Sequence, residues 1–76
     1  MNFLSTISTA DKTTTLNTII ADKEKNLYAL SWAVGIDPDD LTADYTAPVG
    51  TENPSETQLE AELAAVATIK AELASL

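Results

Sequence analysis

The chain has 76 residues, 12 acidic against 4 basic, and a formal net charge of -8. All four bases are lysines (Lys12, Lys23, Lys25, Lys70); arginine, histidine and cysteine are absent. Without His or Cys there is no Ser-His-Asp triad, no Cys/His nucleophile pair, no thiolate metal site and no disulfide framework, and without Arg there is no phosphate-tracking patch, so neither an enzyme nor a nucleic-acid binder is expected.

A chain of this length makes one domain and buries only about 60% of its unfolded surface. A core that small seldom contributes more than about 3–5 kcal/mol, and such domains lean on disulfides, metals or association. Apolar residues make up 45% of the chain, but 12 of them are alanine, and the only aromatics are Phe3, Tyr28, Trp32 and Tyr45. Association with protein partners, as a homo-oligomer or within a larger assembly, is therefore the expected source of stability, with no cofactor. No apolar run approaches the roughly 18–20 residues of a membrane span. The acidic balance also disfavours anionic membrane surfaces. Met1-Asn2-Phe3-Leu4-Ser5 has neither a basic start nor a long apolar stretch, so cytoplasmic synthesis without a secretory signal is expected.

Residues 1–8 read as an N-terminal segment, extended or loosely turned, with Phe3, Leu4 and Ile7 available for docking. A long helix is predicted over 9–34. Ser8 followed by Asp11 resembles a capping box with Asp in place of Glu. Leu16, Ile20, Lys23, Leu27, Leu30 and Val34 follow at alternating steps of four and three, a heptad-like stripe with one polar interruption at Lys23. Thr13, Thr14 and Thr15 weaken the first turns through lost χ1 freedom. Gly35 suits the left-handed position that ends a helix, with Ile36 making the hydrophobic contact that follows.

Residues 35–53 form a connector that holds both glycines and two of the three prolines. Asp37-Pro38-Asp39-Asp40 reads as an N-cap, a proline at the first helical position and acid in the first turn, predicting a one-turn helix through about Ala43. Tyr45 to Val49 is expected to be extended. Asn53-Pro54-Ser55-Glu56 then opens a second, alanine-rich helix over 54–75. Its stripe is Leu59, Leu63, Val66, Ile69, Leu73 and Leu76, and no terminating cap is visible. The fold class is all-α: two helices joined by a long connector with a short helical turn, in helical-hairpin or coiled-coil-like packing. Because both stripes follow the same spacing, pairing within one chain and pairing between chains stay open.

Asp37, Asp39, Asp40 and Asp44 are the densest carboxylate group, and whether they bind an ion stays open. An EF-hand pattern starting at Asp37 fails, since Leu41 stands at the fifth position, Thr42 where glycine is required and Pro48 where a bidentate Glu is required. A helix start decorated with acid accounts for them. Glu56, Glu60 and Glu62 with Glu52 read as a solvated face, because acid–base work needs a pocket that separates their pKa values. Eight of the twelve acids lie between Asp37 and Glu62, and none lies between Lys25 and Ile36.

Within that uncharged stretch Tyr28 and Trp32 are four residues apart, on one helix face about 100° round from the stripe, with Leu27 or Ile36 beside them. Tyr and Trp dominate protein-interface hot spots, which makes these two the candidate anchors. The remaining candidate interface residues are Leu16, Ile20, Leu27, Leu30 and Val34 on the first helix and Leu59, Leu63, Val66, Ile69 and Leu73 on the second. The expected function is a non-enzymatic structural or assembly subunit that docks amphipathic helices into a large protein complex. Small, Cys-free, acidic, Thr/Ala-rich composition resembles that of minor capsid and tail proteins of bacteriophages, which points to a virion as the assembly. The alternative is a small acidic regulatory module: an inhibitor, an adaptor or a DNA mimic.

Overall fold

The computed structural model describes residues 6–48 and 53–76. Among them are two α-helices, α1 (Thr9–Val34) and α2 (Pro54–Ala74), with a 3-10 turn at Pro38–Asp40 between them and no strand. The candidate docking residues Phe3 and Leu4, and Val49 at the end of the expected extended segment, lie outside the described residues.

Local chemistry accounts for the helix limits. Ser8 is extended (φ -67, ψ 156), and its hydroxyl accepts the Asp11 backbone N–H at 3.1 Å, satisfying one of the free donors of the first turn. The threonine-rich start is accommodated by back-bonding. Thr13 and Thr18 donate their hydroxyls to the carbonyls of Thr9 and Thr14, at 2.9 and 3.0 Å. At the other end Gly35 adopts φ 82, donating to the Trp32 carbonyl, while Ile36 donates to the Ser31 carbonyl at 2.9 Å. That pair of bonds is a Schellman closure, and only a residue without Cβ adopts the left-handed position at no steric cost.

Asn53 caps α2 through its side-chain oxygen, which accepts the Ser55 N–H at 3.0 Å, with Pro54 at the first helical position. The helix stops at Ala74. Ser75 supplies an ending that its apolar stripe does not reveal, its hydroxyl donating to the Glu72 carbonyl at 2.8 Å.

The two stripes face one another inside a single chain, which makes the molecule a helical hairpin. Near its open end Leu16 and Glu72 line one small hollow, while Leu27 and Val66 line another near the connector, so the helices run antiparallel. Ile20, Leu27, Leu30, Leu59 and Val66 are buried, and Leu59 is fully so. Leu16, Val34, Leu63, Ile69 and Leu73 are half-buried at the margins of the seam. Removing a leucine such as Leu59 from water stabilises the hairpin by about 2–3 kcal/mol. Ser31 is fully buried beside this stripe; its hydroxyl is satisfied by the Tyr28 carbonyl at 2.8 Å.

The connector packs rather than loops away. Ile36, Leu41 and Tyr45 lie against the cluster of Leu27, Leu30, Leu59 and Val66. The expected one-turn helix is shorter than its sequence suggests. It ends at Asp40, and Leu41 is extended (φ -75, ψ 124), which turns its side chain onto the core. Farther on, the Ala47 N–H donates to Glu60 Oε2 at 2.7 Å, tying the connector to α2.

Two helices and a connector make a thin body. The radius of gyration is 14.8 Å, against about 11 Å for a compact chain of this length. The accessible surface is 5387 Å², against about 4500 Å² for a compact protein of this mass.

Candidate functional site

The apolar stripes and the aromatic pair have different fates. Leu16, Ile20, Leu27, Leu30 and Val34, with Leu59, Leu63, Val66, Ile69 and Leu73, line the seam of the hairpin and are buried or half-buried within the chain. Tyr28 and Trp32 stay on the outside, 60% and 61% exposed. Their ring centroids are 6.3 Å apart with planes at 71°, an edge-to-face pair. Such pairing contributes about 0.5–1.5 kcal/mol and holds two broad apolar surfaces in a defined relative orientation. Leu27 and Ile36 do not extend this patch: one is buried in the core cluster and the other packs against it.

Helix geometry explains the outward placement. Positions 28 and 32 are one turn apart and off the 20–27–30–34 stripe, so burial of the stripe leaves them in water. Ala29 and Ala33 beside them are also exposed, and no charged residue occurs from Asn26 to Ile36. The pair is an exposed apolar patch on a stretch of helix without charge, with Glu24 and Lys25 one turn before Tyr28.

Tyr28 also belongs to a second feature. Its side chain helps wall an open groove of about 400 Å³ between α1, the connector and α2. Leu27, Leu63 and Val66 give this groove an apolar base, while Pro38 and Leu41–Ala43 form the connector wall and Ala67 the α2 wall. Two charged side chains line it, Glu24 and Lys70. Tyr28, Leu27, Leu63 and Val66 are legible in the sequence as interface candidates, but the connector wall is not, because Leu41, Thr42 and Ala43 carry no interface signature and come together with α2 only through the fold.

The electrostatics are one-sided. Among the described residues the one ion pair is Lys23 Nζ with Glu62, at 3.2 Å. Asp37, Asp39, Asp40 and Asp44 are all exposed on the connector. Asp37 caps the 3-10 turn, its carboxylate accepting the Asp39 N–H at 3.0 Å. No three acidic side chains among the described residues are gathered closely enough to hold a metal ion. Tyr45 registers the acidity of this side: its phenol is pushed above the ordinary 10.0 first by burial against the core, then by the Glu56 and Glu60 carboxylates.

Among the described residues no helix is long and apolar enough to cross a membrane. Compared with known proteins, the chain matches no family model, no curated protein and no solved structure.

Proposed function

We propose that the chain is a non-enzymatic assembly subunit that docks onto other proteins through the α1 face bearing Tyr28 and Trp32. One observation carries this reading: an edge-to-face aromatic pair stands about 60% exposed on an uncharged helix stretch of a chain whose net charge is -8. Its apolar stripes are buried or half-buried in the hairpin, whereas the aromatic pair is mostly exposed. The thinness of the body supports the same reading, because a standard interface removes about 800 Å² from each partner and the chain exposes more than a compact protein of its mass does. Among large assemblies we nominate a bacteriophage virion, on the composition alone: small, Cys-free, acidic and rich in Thr and Ala.

The test is sedimentation of the chain from its native source, followed with an antibody, for the wild type and for Trp32→Ala. The wild type sediments with a particle far heavier than its own 8.1 kDa, and Trp32→Ala remains free while keeping its helicity by circular dichroism. Recovery of the wild type as a folded, free monomer overturns the proposal. A discrete complex with one soluble protein selects the second reading, an acidic regulatory module. The observation favouring that alternative is the concentration of eight of the twelve acids between Asp37 and Glu62.

A further inference from the structure

We propose that the groove between α1, the connector and α2 is a seat for a basic segment of a partner protein: one bulky apolar residue inserted over Leu27, Leu63 and Val66, flanked by lysine or arginine. The inference rests on the reading of the chain as a protein-binding module and assigns the chemistry of what binds, on a surface that adjoins the aromatic pair through Tyr28.

The apolar part follows from the lining. The groove of about 400 Å³ lies directly over the core, yet it stays open to water because two helices and a connector cannot close it. An aliphatic or aromatic side chain placed there is removed from water against residues of α1, the connector and α2, which is the form of a hot-spot pocket.

The basic part follows from charge complementarity. Glu24 is in the wall itself. Asp39, Asp40 and Asp44 each adjoin a wall residue in the chain (Pro38, Leu41 or Ala43), so their Cα atoms stand about 3.8 Å from the Cα of that residue. None of these four carboxylates makes an ion pair, since Lys23–Glu62 is the one salt bridge among the described residues. Against these four stand two unpaired cations, Lys70 in the groove and Lys25, which adjoins Glu24 in the chain, so the rim keeps an excess of acid. A second copy of the chain would bring another -8 to this rim, and an anionic lipid surface would be repelled by it. A cationic segment is attracted, and exposed rim charges of this kind act mainly on encounter rate and on the choice of partner.

The experiment titrates the full-length, isotope-labelled chain with three synthetic probe peptides while recording amide resonances. One peptide carries a leucine stripe at helical spacing with lysine elsewhere. The second keeps the stripe and replaces lysine by glutamate. The third keeps the lysines and replaces every leucine by alanine. The lysine-stripe peptide is expected to shift the amides of Leu41, Thr42, Ala43 and Ala67 and to bind at least about tenfold more tightly than the alanine one. The glutamate peptide is expected to leave the spectrum unchanged.

Replacing Asp39, Asp40 and Asp44 together by Asn should weaken the lysine-stripe peptide about tenfold and flatten its salt dependence. Asp37 is kept, because it caps the turn. Ala67→Lys, at an exposed helix position on the groove wall, should block the peptide while leaving helicity intact. Equal binding of the alanine or glutamate peptide, shifts confined to other surfaces, or full binding to Ala67→Lys each overturn the proposal. These outcomes are separate from the fate of the assembly reading: sedimentation with a particle that depends on Trp32 survives a failed groove titration, and a successful titration survives a wild type that sediments free.

Discussion

Lys23 Nζ sits 3.2 Å from Oε1 and 3.3 Å from Oε2 of Glu62, across the hairpin and 39 positions away in the chain. Lys23 occupies a position of the α1 apolar stripe, between Ile20 and Leu27, where a hydrophobic residue would complete the seam. Both side chains are partly sheltered, at 29% and 20% exposure. The pair therefore favours the register in which this turn of α2 lies opposite this turn of α1, where a smooth Leu/Ile/Ala seam discriminates poorly.

Breaking that pair should be measurable but modest. Lys23→Met or Glu62→Gln is expected to lower stability by about 0.5–1.5 kcal/mol, because water still reaches both groups. The double-mutant cycle should return a coupling of about 0.5–1 kcal/mol that shrinks at high salt. Urea melts of the four chains at two salt concentrations measure it, and zero coupling would remove the pair from any account of helix register.

Leu59 and Trp32 should separate folding from docking. Leu59 is fully buried, so Leu59→Ala is expected to cost about 2–4 kcal/mol, a large part of the stability of so small a domain. Trp32 is 61% exposed, so Trp32→Ala should cost no more than its edge-to-face contact with Tyr28, about 0.5–1.5 kcal/mol and less than Leu59→Ala. The one tryptophan also reports directly: its fluorescence should be readily quenched by acrylamide in the free chain and protected once a partner covers α1. Similar destabilisation by both substitutions in thermal melts would place Trp32 in the intrachain core.

Much of this architecture was legible because it is local. Ser8, Gly35, Asn53 and Pro54 each carry a backbone preference that marks a helix end without help from the rest of the fold, and the 3–4 spacing from Leu16 to Val34 gives one face directly. Three features were not legible. The Lys23–Glu62 pairing depends on the register between helices, which the connector's path sets and no spacing within either helix encodes. Burial of Ser31 was hidden because a serine gives no hydrophobic signal, although its hydroxyl is satisfied within its own helix turn. The groove joins Tyr28, Leu41 and Ala67, residues from three elements whose meeting is tertiary. The exposed placement of Tyr28 and Trp32 was visible for the opposite reason: they break the stripe, and a large apolar side chain off the stripe must end in water or against something else.

Gly35→Ala tests the closure of α1. The site has φ 82, and an added Cβ would meet nothing within 4 Å, so the penalty comes from the backbone conformation rather than from crowding. A loss of about 1 kcal/mol is expected, with the Ile36 N–H bond to the Ser31 carbonyl weakened as the turn readjusts. Gly35→Asn should lose less, since asparagine tolerates the left-handed region better than alanine. Chemical denaturation ranks the three chains, and equal stability of Ala and Gly at this position would contradict the assigned backbone.

Tyr45 should make the molecule sensitive to alkali in a way traceable to one phenol. Its pKa stands above 10.0, first because packing against the core strips water from it, then because Glu56 and Glu60 oppose a phenolate. Once pH passes 10.0 the unfolded chain sheds this proton while the folded chain still holds it, so the unfolded state binds fewer protons and rising pH favours unfolding. The contribution is therefore whole below pH 10.0 and is lost as pH rises through the folded value. Tyr45→Phe has no proton to lose, so its stability should fall less between about pH 9 and about pH 11 than that of the parent chain, with the lysines common to both cancelling in the comparison. Absorbance of phenolate in the parent minus Tyr45→Phe isolates the titration of this ring, and Glu60→Gln should move it back toward 10.0 by removing one opposing charge. Identical alkaline stability profiles for the two chains would show that Tyr45 is freely solvated and that the connector does not pack on the hairpin.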